Sequence, residues 1–160
     1  MKVVAKIHNI VRFLLIRVRS FFYTMLIRLG GGECGRGLKI HGPIYILGNL
    51  SNLKIGENVS INHFVLLNCR DLIEIGEGTT ISAGCQLQTP YLIADQLEVH
   101  ASRPIIVKRG CWLAVNVIVT AGSLIEENVI VGALSLVRGR LEKNGMYAGS
   151  PAVQKRILRR

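Results

Sequence analysis

The sequence predicts an all-β solenoid of hexapeptide repeats preceded by one amphipathic α-helix, and three observations carry that prediction. First, Val107, Leu113, Val119, Ile125, Val131 and Val137 stand six residues apart. Neither regular element has that period, since a helix repeats its apolar positions at steps of three and four and a strand at steps of two. A coil whose flat faces each consume one hexapeptide does have it, with the aliphatic side chain pointing into the bore. Second, the fourth residue after each aliphatic is small or slim: Cys111, Val117, Ser123, Val129 and Ser135. A tightly wound triangular coil needs such a second, narrower inward position. Third, residues 1–32 contain no acid, and their apolar residues recur at steps of three and four.

The helix comes first, over residues 1–30. Ile7, Ile10, Val11, Leu14, Leu15, Val18, Phe21, Phe22, Met25, Leu26 and Leu29 make its apolar stripe, and Lys2, Lys6, Arg12, Arg17, Arg19 and Arg28 its charge. Arginine interrupts the segment too often for a membrane span, which wants about 20 consecutive apolar residues. The same interruptions make a poor signal peptide, and Gly30-Gly-Gly-Glu-Cys leads straight into the first coils. The composition also mimics a mitochondrial targeting sequence. Two compatible roles follow. The helix lies in a lipid interface, drawn by anionic headgroups, or it caps the open end of the solenoid or packs on a neighbouring subunit.

Residues 31–160 form the solenoid. Ile40 and Ile46 begin the pattern, and segments starting at Ile55, Ile61, Ile75 and Ile81 repeat it, each with a narrow residue at the fifth place. The phase slips by two around Cys69-Arg70-Asp71 and breaks between Leu87 and Val107. Insertions cannot enter the bore, so an inserted loop over 88–104 must leave the coil at the surface, where repeat proteins usually keep their chemistry.

Composition agrees with one domain. The 160 residues are 49% hydrophobic but only 6% aromatic, with 17 glycines, which suits narrow coils with tight corners. Cys34, Cys69, Cys85 and Cys111 have no metal or redox spacing and read as small buried hydrophobes of a reducing, cytoplasmic compartment. The net charge of +10 lies at the two ends of the chain, in the helix and in a tail carrying Arg138, Arg140, Lys143, Lys155, Arg156, Arg159 and Arg160. Nucleic-acid binding is excluded, because the repeats lack a basic stripe interleaved with aromatic or groove-reading residues.

Three stretches carry a family resemblance: Arg103-Pro-Ile-Ile-Val, Cys111-Trp-Leu-Ala-Val, and Ala121-Gly-Ser-Leu-Ile running on to the closing Ala148-Gly-Ser-Pro-Ala. They resemble the closing half of the hexapeptide-repeat O-acetyltransferases, over residues 35–157, and within that family the maltose, galactoside and surface-polysaccharide enzymes. The resemblance implies a left-handed parallel β-helix, a homotrimer with active sites between subunits, and acetyl-CoA as donor, without a metal. It also implies coenzyme A contacts. Arg156 falls where the family has a basic residue after Gly-x-Pro-Ala, and Arg138 follows the Gly-Ala-x-Ser segment; a guanidinium suits phosphate through paired, charge-assisted hydrogen bonds. The family commonly has Lys where this chain has Gly139 and Val153.

Acetyl transfer to a hydroxyl needs a base for the alcohol proton and donors for the tetrahedral oxyanion. The family's base is a histidine in a Thr-x-x-His or Thr-x-His context at the start of the inserted loop, and this chain reads Thr89-Pro-Tyr-Leu there. His100, the one histidine of that loop, is the candidate base, with Asp95 or Glu98 to orient its second nitrogen. Asn62 and His63 are candidate acceptor-site residues, with Trp112 as a flat wall beside the acceptor or thioester. Ala114 and Ala133 would leave room for the pantetheine arm and offer backbone N–H groups to the oxyanion. His8 and His41 have no supporting context. The expected function is transfer of acetyl from acetyl-CoA to a sugar hydroxyl of a surface polysaccharide or lipopolysaccharide unit, on a chain cytoplasmic or peripheral at the inner membrane face. The alternative is a non-catalytic trimeric scaffold whose base has been lost. A γ-type carbonic anhydrase on this fold is disfavoured, since it needs three converging histidines.

Overall fold

The computed structural model describes residues 2–159, apart from the side chains of residues 2, 3, 5 and 97–99. One helix, α1 (Lys2–Leu29), precedes a parallel β-solenoid of about six turns. The first five turns each contribute a short strand to each of three sheets, and the sixth contributes to two of them. Face A stacks Glu33–Cys34, Leu53–Ile55, Ile73–Ile75, Ile105–Val107, Leu124–Ile125 and Arg140–Leu141. Face B stacks Lys39–Ile40, Ser60–Ile61, Thr80–Ile81, Trp112–Leu113, Ile130–Val131 and Gly145–Ala148. Face C runs from Tyr45–Gly48 through Leu66–Cys69, Gln86–Gln88 and Ile118–Thr120 to Leu136–Val137.

The register puts like on like, so aliphatic columns fill the bore. Ile61 pairs with Ile81, Ile81 with Leu113 and Leu113 with Val131, while Leu67, Leu87, Val119 and Val137 align on face C. All six residues of the period-six run are fully buried, and the slim set Cys111, Val117, Ser123, Val129 and Ser135 is buried beside them. The step from face A to B and from B to C is six in every turn. The step from C back to A is not. Ile46 to Ile55 is nine residues, Leu67 to Ile75 eight, Leu87 to Val107 twenty, Val119 to Ile125 six and Val137 to Leu141 four. Every departure from the period therefore falls on one corner, and the longest of them is an antiparallel hairpin of Pro90–Ile93 and Gln96–Ser102.

Both ends of the solenoid are covered, as an exposed stack of strands requires. At the far end, Val153–Ile157 turns back antiparallel to Gly145–Ala148, and the buried Tyr147 plugs the bore, its hydroxyl donating to Glu142 O and accepting from Glu142 N–H. At the near end, α1 satisfies the outer edge of the first coil. Ser20 Oγ accepts from Ile40 N–H at 2.9 Å, Tyr23 Oη donates to Ile44 O, Arg19 to His41 O and Arg28 to Cys34 O, with Ile27 fully buried among them.

Burial pushes the Cys69 thiol up to about 12 and Cys85 up to about 11. Since thiolate is the reactive form, both thiols are expected to resist a disulfide reagent at pH 8 until denaturant is added. Rapid labelling of the native protein at Cys69 or Cys85 would contradict the filled bore.

Candidate active site

The hairpin is held at its root by Thr89, which is buried. Its hydroxyl donates to Asn68 O at 2.6 Å and accepts from Asp71 N–H, and its carbonyl receives Arg103 N–H. The turn that slips the repeat phase at Cys69-Arg70-Asp71 thus supplies the anchor for the loop one coil later. Ser102 Oγ donates to the Asp71 carboxylate at 3.4 Å and ties the returning strand to the same turn.

Between hairpin and face C lies a groove of about 450 Å³, within the size range of small-ligand sites. Tyr91, Leu92 and Arg103 wall it on the hairpin side, and Gln88, Leu136 and Arg138 on the coil side. The Arg103 guanidinium stacks on the Tyr91 ring, 5.1 Å from its centroid, and its stem fits against Gly122, whose φ is +76°. A side chain at Gly122 would be strained and would crowd Arg103. Neither Arg103 nor Arg138 has a carboxylate at ion-pair distance among the described residues, whereas Arg140 is held by Glu126 at 2.8 Å and Glu142 at 2.9 Å.

Leu92, the fourth residue of Thr89-Pro-Tyr-Leu, pairs directly with His100 in the hairpin, just as Pro90 pairs with Ser102. Directly opposed residues in an antiparallel pair share a face, with Cβ atoms about 4.5–5.5 Å apart. His100 is exposed and stands on the Leu92 side of the hairpin, in line with Ser102 and so with Asp71 beyond it. Asp95 sits at the hairpin tip, away from the root. The Glu98 side chain lies outside the described residues.

The other sequence-predicted residues gather on face B and the corner between B and C. Trp112 is 49% exposed, stacked in register between Thr80 and Ile130, and its indole N–H donates to Ser82 Oγ at 3.0 Å. The Asn62 amide donates to Ile81 O, so part of its capacity is spent on the coil. The exposed His63 packs its ring over Gly42, where a side chain would collide with it. His41 Nε2 lies 2.9 Å from Ser60 Oγ. Burial first, and then the charges of Arg12, His63 and Lys39, hold His41 below the usual histidine range.

Ala114 offers space but no donor, because its N–H is bonded to Val131 O. Ala133 sits at the exposed corner. Arg138 and Arg156 are not brought together. Arg138 is in the hairpin groove, while Arg156, paired with Met146 on the returning end strand, lines a separate cavity of about 370 Å³ with Ile130 and Ile157. Sequence reasoning missed Tyr91, Arg103, Asp71 and Ser102. Only the phase slip at Asp71 and the family-like Arg103-Pro pointed toward them.

No protein-family model matches the chain. It is 32% identical over 146 residues to WcaF of Escherichia coli (strain K12), assigned as a colanic acid biosynthesis acetyltransferase, covering 87% of this chain and 74% of that protein. It is 30% identical over 110 residues to WbbJ of the same organism, assigned as a lipopolysaccharide biosynthesis O-acetyl transferase, covering 60% and 56%. Among solved structures, a hexapeptide-repeat containing acetyltransferase of Vibrio cholerae superposes with a TM-score of 0.81 at 23% identity, over 88% of this chain and 82% of that one. A maltose O-acetyltransferase of Clostridium difficile 630 superposes at 0.75 with 21% identity, over 91% and 89%. Those two likenesses speak for the fold, and the relationship to WcaF speaks for kinship: the chain belongs to the hexapeptide-repeat acetyltransferase family and is an acyltransferase.

Proposed function

We propose that the protein is an acetyl-CoA-dependent O-acetyltransferase that modifies a sugar hydroxyl of a surface polysaccharide or lipopolysaccharide precursor at the inner membrane face. The observation that carries this reading is the hairpin register. It sets His100 beside Leu92, the place where the resembling family keeps its histidine. His100 takes the proton of the acceptor hydroxyl as the oxygen attacks the thioester carbon. The tetrahedral oxyanion then collapses, the C–S bond breaks, and the imidazolium returns its proton to the departing coenzyme A thiolate. Asp71 acts through Ser102 to hold the returning strand, and with it the imidazole, in place.

Two cationic walls without carboxylate partners among the described residues suit an anionic donor, and Arg103 and Arg138 provide them in the groove. A related structure is described as complexed with acetyl coenzyme A. Trp112, Ser82, Asn62 and His63 supply the flat ring and hydrogen-bonding groups that sugars favour. The hairpin and this surface lie on different parts of one coil, so a neighbouring subunit must bring them together, and the reading includes a homotrimer. In support, Phe64 and Leu134 stand exposed at the corner between B and C with φ of 59° and 58°, a left-handed conformation that bulky side chains seldom adopt.

The test is release of free coenzyme A from acetyl-CoA in the presence of oligosaccharide acceptors, with donor affinity measured by calorimetry. Parent protein should bind acetyl-CoA and release thiol only with an acceptor. Arg138→Ala and Arg156→Ala should each weaken donor binding by about tenfold or more, the loss of a charge-assisted contact worth about 1.5–3 kcal/mol. A chain that neither binds acetyl-CoA nor transfers acetyl is a scaffold.

A further inference from the structure

We propose that α1 is a two-faced device, whose inner face caps the solenoid and whose outer face docks on an anionic lipid bilayer with the first coil nearest the membrane. The inner face is thin. Ile16, Ser20, Tyr23 and Ile27 recur at helical steps and turn toward the first coil, where Ser20, Tyr23 and Ile27 make the contacts described above. At about 100° per residue, the remaining apolar residues other than Phe13 form a stripe centred on the opposite side. Ile7, Leu14, Val18, Phe21, Phe22 and Met25 are among them, all exposed, Phe21 at 70%. The stripe is roughly 160° wide by the same count, far broader than the inner contact.

Charge selects the occupant. Arg12 and Arg19 border one side of the stripe and Lys6 and Arg17 the other, and residues 1–32 hold no acid that could pair with a basic partner surface. A broad apolar face with Phe and Leu, edged by cations, is the pattern of a helix lying in the plane of a bilayer interface. Each basic residue near an anionic leaflet adds about 1 kcal/mol of attraction. No helix among the described residues is long and apolar enough to cross a membrane, so docking is by the face and not by insertion end-on.

The cap fixes the orientation. Lys39 and His41 send their N–H groups to Val59 O and Ile61 O of the second coil, whereas Ile40 N–H points outward to Ser20. Hence α1 lies across the end of the stack, and its stripe looks away along the solenoid axis. Docked there, the solenoid stands upright. The hairpin leaves after the third coil, so with strands about 4.8 Å apart and a helix layer of about 10 Å the groove sits roughly 25 Å above the apolar boundary. That height fits sugars carried outward from a lipid anchor better than a sugar at the bilayer surface; this last step alone rests on the acetyltransferase reading.

Deleting α1 would remove Ile27 and uncover Ile40 and the edge of the first coil, so the test substitutes outward residues in the full chain. Flotation is measured with vesicles of phosphatidylglycerol and phosphatidylcholine, against phosphatidylcholine alone, for the parent and for Leu14→Glu/Val18→Glu/Phe21→Glu. The parent should float with the anionic vesicles, less so at about 0.5 M salt, where screening shortens the range of charge attraction well below 10 Å. The triple variant should lose at least tenfold in partitioning while keeping its melting temperature and its transfer to a soluble acceptor. Undiminished flotation of the triple variant overturns the proposal. So does a parent that never floats while the triple variant falls to a smaller oligomer, which would mean that the stripes pack against one another. Flotation without acetyl transfer to any acceptor would keep the docking and remove the acetyltransferase reading.

Discussion

Replacing His100 by alanine is expected to lower acetyl transfer by about 10²- to 10⁴-fold, the usual worth of a positioned base, with coenzyme A affinity nearly unchanged. The expectation follows from the register of the hairpin, in which His100 faces Leu92 across the strand pair. It carries a second arm. Because the two positions are cross-strand neighbours, Leu92→His in the His100→Ala background should recover part of the rate by returning an imidazole to the same side of the hairpin. Steady-state rates with saturating donor, and donor affinity by calorimetry, decide the matter. An unchanged rate in His100→Ala means the base is elsewhere, and His63 becomes the next residue to replace.

Val119→Asp is expected to abolish the folded state. Val119 is fully buried between Leu87 and Val137 in the adjoining coils, and a carboxylate there has no partner. An uncompensated buried charge costs several kcal/mol, against a total stability of about 5–15 kcal/mol, and the loss spreads because each coil depends on its neighbours. The neighbouring residue gives the contrast. Ile118 lies on the outer side of the same strand and is 38% exposed, so Ile118→Asp should leave the melting temperature within a few degrees. Thermal denaturation followed by circular dichroism distinguishes the pair, and equal behaviour of the two variants would refute the inward and outward assignment.

The bore was legible because it is periodic and local. Val107 through Val137 announce their own spacing, and nothing from elsewhere in the chain is needed to place them inward. The helix was half legible. Its apolar stripe reads directly, but the face that meets the solenoid does not, since Ser20 and Tyr23 bind backbone groups of Ile40 and Ile44 that carry no side-chain signature. The groove was the least legible. Tyr91 and Arg103 lie twelve residues apart and meet only because the hairpin closes with a particular register, and Asp71 reaches Ser102 from a turn one coil earlier. Such contacts depend on loop closure, which residue spacing does not encode. The oxyanion role suggested for Ala114 failed for a related reason: the ladder of face B claims that N–H for Val131 O.

The confinement of every irregular step to one corner has an architectural consequence. Two corners act as a fixed thread that holds the pitch, while the third is an open socket where chain can be lengthened without disturbing either neighbour. From Ile46 to Ile55 it accepts a short 3-10 turn, from Leu87 to Val107 a whole hairpin, and from Val119 to Ile125 nothing extra. The hairpin that carries His100 and the core that supports it are therefore written in separate parts of the sequence. A hairpin transplanted between Thr89 and Arg103 inherits the same Thr89 anchor and the same height on the coil, so the loop can be exchanged at this socket while the thread that carries it stays as it is.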